Sequence, residues 1–235
     1  MRTVLITGPN RGIGLELARQ LLERGDRVVA ACRTPQRAEA LARLQGEHGA
    51  RAAIVGLDVT DRASVHQALE AAMDFTDRLD WLVNNAGIGG GGGLKDPDPG
   101  LMTEVYRTNA IGPVLVSNAF LPLLEKGNRP MIFILSSRAG SISFMETLTG
   151  RSIPYAYAAS KSAVNMIGTL MAGELKDRGI GVVLQSPGWV RTDMGGENAH
   201  LSVEESVASI LQHWEGLSID DTGRFFGEDG EPVGW

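Results

Sequence analysis

Short apolar runs alternate with longer segments of helical period along this chain. Six of the runs have the length of β-strands: TVLITG, RVVAAC, AAIVGLDV, LDWLVNNAG, MIFILSS and GVVLQSPG. Each is apolar almost throughout, which is typical of strands covered by helices on both faces of a sheet. A later run, TGRFF, could add a final strand.

The segments between these runs have the apolar spacing of amphipathic helices. Several end at a glycine just before the next strand, as at Gly25, Gly127 and Gly179. This regular alternation predicts an α/β fold, a Rossmann-type doubly wound parallel sheet flanked by helices on both faces. The chain has no evident linker or repeat, so we expect residues 1–235 to form a single domain that contains both the cofactor site and the catalytic site.

Two long helices are expected, over residues 101–126 and 155–178. They could form a four-helix interface between copies of the chain, or they could pack within a monomer. A homo-oligomer, either a dimer or a tetramer, therefore stays an open alternative.

Composition and charge exclude several kinds of partner. The net charge of −6 leaves no basic surface for nucleic acid, and no apolar run approaches the roughly 18 residues of a membrane span. The N-terminal MRTVLITG enters a strand directly, without a signal peptide, and the single cysteine fits a reducing compartment, so we expect a soluble cytoplasmic protein. No metal site is predicted, because the histidines are far apart: His48, His66, His200 and His213.

A low-complexity segment, GIGGGGGLKDPDPG, occupies residues 87–100. Its five consecutive glycines resist regular structure, and Pro97 and Pro99 delay the next helix. The segment is either a flexible surface connector or a mobile edge of a ligand cleft, because it follows the carboxyl end of a strand, where open α/β sheets bind ligands. The sequence favours neither alternative.

The first strand is followed at once by TGPNRGIG, which opens into a helix. In this strand–turn–helix context, Gly8 permits a tight turn, Gly12 lets a pyrophosphate approach the backbone, and Gly14 lets the helix pack closely on the strand. The helix N-terminus offers unpaired N–H groups and a partial positive charge. The turn therefore indicates a dinucleotide site.

Further motifs follow this turn in a fixed order: Asp58–Val59, NNAG ending at Gly87, Asn109, Ser137, Tyr157 with Lys161, and Pro187–Gly188. Over essentially the whole chain, these motifs resemble the short-chain dehydrogenase/reductase superfamily. The stretches NAIGPVLVSNAFLPLL, PGWVRTDMGG and TGRFFGEDGEPVGW resemble its carbonyl-reductase-like subset, which includes the Sniffer and C-factor types.

This resemblance implies an oxidoreductase that transfers a hydride between a nicotinamide cofactor and a small ketone, aldehyde or alcohol. It implies that Tyr157 is the proton donor, that Lys161 also binds the nicotinamide ribose, that Ser137 holds the substrate oxygen, and that Asn109 sustains a water-linked relay through Lys161. The residues that it implies for cofactor binding are Gly8, Asn10, Arg11, Gly12, Ile13, Gly14, Arg33, Asp58, Val59, Asn85, Ala86, Gly87, Tyr157, Lys161, Pro187, Gly188, Val190 and Thr192.

Charge at the end of the second strand favours NADP(H) over NAD(H). An NAD site usually has an acid there for the ribose hydroxyls, whereas this chain has Cys32 and then Arg33. Arg11, in the glycine turn, is a second cation in reach of a 2′-phosphate, and arginine binds phosphate through a planar fork. The alternative is that both arginines are only solvated surface charges.

The stretch SIPYAYAASK distinguishes its two tyrosines by their spacing to a lysine. Tyr157 and Lys161 are four residues apart and share one face of a helix, while Tyr155 lies about 200° around that helix from Tyr157. A nearby ammonium stabilises a phenolate, so we expect Lys161 to lower the pKa of Tyr157. Tyr155 is expected to be a rim or packing residue at the start of the helix.

Ser136 and Ser137 both end the fifth strand, and strand alternation sends their side chains to opposite faces. The family pattern SS-x-x-G favours Ser137. The separation of Ser137 from Tyr157 is longer than in many relatives, and we expect the extra residues, SFMETLTGRS, to form a loop over the cleft.

Residues 189–201 are expected to fold over the substrate, with Trp189 and Met194 either as apolar walls or as packing residues. The substrate itself is not identified by the sequence. A second hypothesis of function is a nucleotide-bound signalling or interaction protein of the C-factor type with little turnover, although it would not need all four of Asn109, Ser137, Tyr157 and Lys161.

Overall fold

The computed structural model describes residues 1–147 and 153–235. In this part of the chain the strands are β1 (Thr3–Thr7), β2 (Arg27–Cys32), β3 (Ala52–Gly56), β4 (Trp81–Asn84), β5 (Met131–Leu135), β6 (Gly181–Gln185) and β7 (Phe225–Phe226). The helices are α1 (Gly12–Glu23), α2 (Glu39–His48), α3 (Arg62–Met73), α4 (Pro99–Tyr106), α5 (Gly112–Leu124), α6 (Ile142–Met145), α7 (Tyr155–Leu175) and α8 (Val203–Gly216). None of the described helices is long and apolar enough to cross a membrane.

The described strands form one parallel sheet in the order β3-β2-β1-β4-β5-β6-β7. The predicted Rossmann-type, doubly wound topology is confirmed, and TGRFF does supply the final strand. The chain reverses its direction of winding between β1 and β4, and a crevice forms at the carboxyl ends of these two strands.

Two apolar layers cover the sheet. On one face, α1 and α8 pack against alternate strand residues, and Phe133 of β5 stacks on Trp214 of α8 with ring centroids 3.9 Å apart. On the other face, α3, α5 and α7 bury residues such as Leu82 and Phe120. Truncation of a buried ring of this size typically costs about 3–5 kcal/mol, so these layers fix the strand ends that carry the site.

The helix predicted over 101–126 is not continuous. A π-helical turn over Arg107–Ile111 separates α4 from α5 and contains Asn109. Pro113 has no N–H to donate to a carbonyl in the preceding turn, so the regular hydrogen-bond pattern is interrupted there. Such π turns are frequent at functional sites, and this one points Asn109 toward α7.

Candidate active site

The glycine turn after β1 depends on three residues that have no side chain. Gly8 and Gly12 have φ angles of +66° and +53°, a region that favours glycine. A Cβ at Gly14 would lie 2.4 Å from Nδ2 of Asn85 and 2.9 Å from the carbonyl oxygen of Gly8. The turn therefore forms a cradle of backbone at the start of α1.

Asn85 ties this turn to the end of β4. Its Nδ2 donates to the carbonyl oxygens of Thr7 and Gly8 at 2.8 and 3.1 Å, and its backbone N–H donates to Oγ1 of Thr7 at 3.0 Å. The side-chain amide of Asn85 therefore hydrogen-bonds to the protein backbone. Its contribution to a cofactor site is to hold the glycine turn in shape.

A cleft of about 930 Å³ opens at the carboxyl ends of the strands. Most of the residues that the sequence implied for cofactor binding line it: Gly8, Asn10, Arg11, Gly12, Ile13, Gly14, Arg33, Asp58, Val59, Asn85, Ala86, Gly87, Tyr157, Lys161, Pro187 and Thr192.

Four predicted site residues are not among those that line the cleft: Asn109, Ser137, Gly188 and Val190. Asn109 and Val190 are buried, whereas Ser137 and Gly188 are partly exposed. Asn109 bonds to the backbone of Ile88, and the carbonyl oxygen of Val190 accepts a hydrogen bond from Thr192.

Three arginines line the far end of the cleft: Arg33, which was predicted, and Arg37 and Arg107, which were not. Arg37 follows β2 on the short helical turn Pro35–Arg37, and Arg107 is the first residue of the π turn. The sequence signal for Arg37 is Pro35, which starts the turn that places Arg37 in the lining of the cleft.

Asp58 is the acid at this end of the cleft. Its burial favours the protonated form, but hydrogen bonds from Thr60 and the charges of Arg33 and Arg107 outweigh this, so the pKa of Asp58 is lowered. Asp58 is therefore ionised and already bound to Thr60.

Tyr157 and Lys161 project into the middle of the cleft from the first two turns of α7. Nζ of Lys161 lies 5.7 Å from the centroid of the Tyr157 ring and donates to the carbonyl oxygen of Leu135 at 2.7 Å. Ser137, just after β5, lies near the Tyr157 phenol, whose pKa it lowers against the effect of burial. The helical spacing thus brings a phenol and an ammonium together, and the segment after β5 adds a hydroxyl.

The pKa values of this pair differ from the expectation. Burial raises the pKa of the Tyr157 phenol, and the hydrogen bond from Ser137 only partly offsets it. The predicted net lowering of the Tyr157 pKa by Lys161 is therefore wrong, because desolvation is the larger effect. Burial also lowers the pKa of Lys161 to about 8.

Asn109 is almost fully buried, and its amide is held at both ends. Its Oδ1 accepts from the N–H of Ile88 at 2.9 Å, and its Nδ2 donates to the carbonyl oxygen of Ile88 at 2.9 Å and to Oγ of Ser160 at 3.0 Å. Oγ of Ser160 donates in turn to the carbonyl oxygen of Tyr157 at 2.7 Å. Asn109 therefore links the segment that follows β4 to the turn of α7 that carries Tyr157.

The two serines after β5 point in different directions. Ser136 is buried and donates to Oδ1 of Asn165 at 2.5 Å, whereas Ser137 begins a short helical turn and accepts from the N–H of Ala139 at 3.1 Å. Of the two, Ser137 lowers the pKa of the Tyr157 phenol, while Ser136 is the one that lines the cleft.

The glycine-rich segment 87–100 runs along the edge of the cleft and packs on the start of α7. The carbonyl oxygens of Gly92 and Gly91 accept from the N–H groups of Tyr155 and Ala156 at 3.1 and 3.4 Å. A Cβ at Gly91 would lie 2.3 Å from Cβ of Ala156. The segment is thus part of the cleft wall and caps the helix that carries Tyr157.

Residues 191–194, here called the bridging segment, cross the cleft mouth. Arg11 pairs with Asp193 at 2.7 Å. A Cβ at Gly12 would lie 3.4 Å from the Thr192 side chain, and a Cβ at Gly89 would lie 3.3 Å from the Met194 side chain. Met194 lines the cleft, which agrees with its interpretation as an apolar wall.

Trp189 is half-exposed. It packs edge to face on His200 and donates from Nε1 to the carbonyl oxygen of Gly195 at 2.7 Å. These contacts support its interpretation as a packing residue.

The predicted loop SFMETLTGRS lies only partly within the described residues. Its first residues belong to α6, and residues 148–152 lie outside the described part of the chain. Tyr155, the other tyrosine of this region, is the first residue of α7, with a side chain that is half-exposed.

Comparison with known proteins adds three similarities and one family match. The model of the short chain dehydrogenase family matches residues 2–201. NADPH-bound carbonyl reductase from chicken fatty liver superposes with a TM-score of 0.93 at 37% identity, over 100% of this chain and 99% of that chain. Carbonyl reductase Sniffer of D. melanogaster superposes with a TM-score of 0.92 at 31% identity, over 100% of both chains. C-signal of Myxococcus xanthus is 40% identical over 161 residues, which are 68% of this chain and 95% of that protein.

Proposed function

The chain belongs to the short-chain dehydrogenase family, and we propose that it reduces a ketone or aldehyde with NADPH, a reaction that is reversible toward alcohol oxidation. The observation that carries the proposal is that Tyr157 and Lys161 line one cleft together with the glycine turn, with Ser137 next to the Tyr157 phenol. The name of the NADPH-bound chicken carbonyl reductase, similar over the full chain, supports both the cofactor and the substrate class.

The residues present fit a dinucleotide. The backbone cradle at Gly8, Gly12 and Gly14 would accept a pyrophosphate, because side chains there would fill it. Arg33 and Arg37 at the far end, with Arg11 in the turn, would hold a 2′-phosphate by charge-assisted hydrogen bonds. Asp58 and Val59 would border the adenine, and Pro187 with Thr192 would border the nicotinamide.

A bound nicotinamide would supply the hydride, and the chain's own residues would handle the proton. The Tyr157 phenol donates its proton to the carbonyl oxygen as negative charge develops there. Because burial raises the pKa of Tyr157, the phenol is protonated at neutral pH and ready for the reductive direction. Ser137, which bonds the same phenol, holds the substrate oxygen next to it.

Lys161 acts on the Tyr157 oxygen by its charge after the proton has left. With a pKa of about 8, Lys161 is mostly protonated at neutral pH, so it stabilises the phenolate. Asn109 fixes the turn of α7 through Ser160 and, in this proposal, supports the relay that returns a proton through Lys161.

The test is a carbonyl panel with NADPH and NADH side by side, using wild-type protein, Tyr157→Phe and the matched control Tyr155→Phe. We expect NADPH oxidation by the wild type and by Tyr155→Phe, and a loss of about 100-fold to 10,000-fold in Tyr157→Phe, the usual contribution of a positioned general acid. Equal activity of both tyrosine variants would contradict the mechanism. A preference for NADH would contradict the assignment of the arginines.

A second candidate is a nucleotide-bound signalling or interaction protein with little turnover. The 40% identity to C-signal over 161 residues is the observation that favours it. This candidate predicts NADPH binding with no turnover of any carbonyl in the panel, so the same experiment separates the two.

A further inference from the structure

Residues 225–235, here called the tail segment, pack against the turn that holds Ser137. The N–H of Ser143 donates to the carbonyl oxygen of Trp235 at 3.0 Å, and the rings of Phe225 and Trp235 stack with centroids 5.7 Å apart. The fully buried side chain of Gln185 donates to the carbonyl oxygen of Gly227 at 2.6 Å. The tail segment therefore has a fixed place between the ends of β5 and β6.

Glu228 of the tail segment touches two parts of the site at once. Its Oε2 accepts from Nε of Arg138 at 3.1 Å, and Arg138 directly follows Ser137. On its other side, Cγ and Cδ of Glu228 would each lie 2.9 Å from a Cβ at Gly188, whose φ of +80° already favours glycine. One side chain thus spans from the Ser137 turn to the Pro187–Gly188 segment.

The surroundings make this contact stronger than an ordinary surface ion pair. The side chains of Arg138 and Glu228 are each only 27% exposed, so solvent screens their attraction less. The buried hydroxyl of Ser186 accepts from the N–H groups of both Arg138 and Gly188 at 3.3 Å. Asp229 also pairs with Arg138 at 3.1 Å, but it is 53% exposed.

We propose that Glu228 is a positioning residue that fixes Ser137 relative to the Pro187–Gly188 segment. The inference rests on the proposed function, in which Ser137 holds the substrate oxygen and Pro187 borders the nicotinamide. Loss of Glu228 leaves Arg138 paired with the exposed Asp229 and removes the packing against Gly188, so the direct link between the Ser137 turn and the Pro187–Gly188 segment is lost. Misplacement by about 1 Å at an active site can cost about 100-fold in rate.

Two variants and a matched control test this. Glu228→Ala removes both contacts, and Glu228→Gln keeps the packing and a neutral hydrogen bond. The control, Glu231→Ala, changes a glutamate of the tail segment that is exposed. Hydrogen–deuterium exchange of the protein without added nucleotide should be faster in peptides covering residues 136–141 and 186–190 for Glu228→Ala. Glu231→Ala should exchange like the wild type in both peptides.

Kinetics provide the second readout. Glu228→Ala should lower kcat by about 10-fold or more while its Kd for NADPH stays within about twofold, because no tail-segment residue is among the described residues that line the cleft. Glu228→Gln should lose less. Arg138→Met should reproduce the loss, and the double variant should be no worse than either single variant, because the two side chains act as one unit.

Wild-type exchange rates in both peptides of Glu228→Ala, or a kcat equal to that of Glu231→Ala, would overturn the inference. If Glu228→Ala does not fold, Arg138→Met decides, and wild-type exchange in its peptide covering residues 136–141 would then count against the inference. A wild-type protein that turns over no carbonyl with NADPH would instead contradict the proposed function, and the exchange experiment would still decide whether Glu228 holds the two segments together.

Discussion

The guanidinium of Arg11 and the carboxylate of Asp193 lie 2.7 Å apart, so an ion pair joins the glycine turn to the bridging segment across the mouth of the cleft. Both side chains are largely exposed, and a pair of this kind stabilises a protein by less than about 1 kcal/mol. Arg11 is also one of the cations proposed to bind the 2′-phosphate, so the Asp193 carboxylate and the phosphate would compete for the same guanidinium.

Asp193→Asn should therefore tighten NADPH binding. In this variant no Arg11–Asp193 ion pair has to break when NADPH binds. We therefore expect a Kd for NADPH about 2-fold to 5-fold lower at low ionic strength, with little change in the Kd for NADH. Fluorescence titration of both nucleotides measures this, and the gain should shrink as salt is added. Glu197→Gln, an exposed acid of the same loop, is the control. Weaker NADPH binding in Asp193→Asn would show that the pair shapes the site instead.

Arg33→Ala and Arg37→Ala should each weaken NADPH binding by about 10-fold or more, the size of a charge-assisted hydrogen bond, and leave NADH binding nearly unchanged. Both arginines line the end of the cleft next to Asp58. Arg43→Ala, an exposed arginine of α2, is the matched control. Equal losses for NADPH and NADH would contradict a phosphate role.

Ser137→Ala and Ser136→Ala should have opposite effects. Ser137→Ala should lower kcat by about 100-fold, as removal of one oxyanion donor does, and cost only about 1 kcal/mol of stability through the lost cap to the N–H of Ala139. Ser136→Ala should keep most of the activity but lose about 1–3 kcal/mol of unfolding free energy, because Oδ1 of the buried Asn165 loses its donor. Steady-state kinetics and urea unfolding of both variants decide between the two serines.

Lys161 should give the protein without added nucleotide an unusual pH dependence of stability. Its pKa is lowered by burial from 10.5 to about 8, so between these values the unfolded chain holds a proton that the folded chain has released. The free energy of unfolding should therefore rise with pH above about 8, by up to the order of 3 kcal/mol relative to Lys161→Met.

Urea unfolding of wild type and Lys161→Met at several values from about pH 7 to about pH 9.5 measures this difference, before tyrosines of the unfolded chain ionise near pH 10. A difference that stays constant with pH would mean that Lys161 is charged and well solvated in the folded protein.

Local pattern predicted those features of the site that depend on neighbours in sequence. The spacing of Tyr157 and Lys161 placed both on one face of α7, and strand alternation separated Ser136 from Ser137. Contacts between residues that are far apart in the sequence were not predicted. Glu228 meets Arg138 across 90 positions of the chain, and no periodicity signals such a contact.

Two further differences have physical reasons. The raised pKa of Tyr157 reflects burial, which the sequence does not give residue by residue. The π turn at Asn109 interrupts a segment that is apolar enough to predict one continuous helix. Each of these departures from simple expectation lies at the proposed site.

The hydrogen bonds between the five-glycine run and the start of α7 constrain the number of residues in that run. Pro154 offers no side-chain cap, so the first N–H groups of α7 depend on the carbonyl oxygens of Gly91 and Gly92. A residue inserted or deleted among these glycines would uncap the helix and fray the turn that aims Tyr157. The number of glycines in this run therefore determines which carbonyl oxygens reach the start of α7. Natural variation in the length of the run should be far rarer than in an ordinary surface loop.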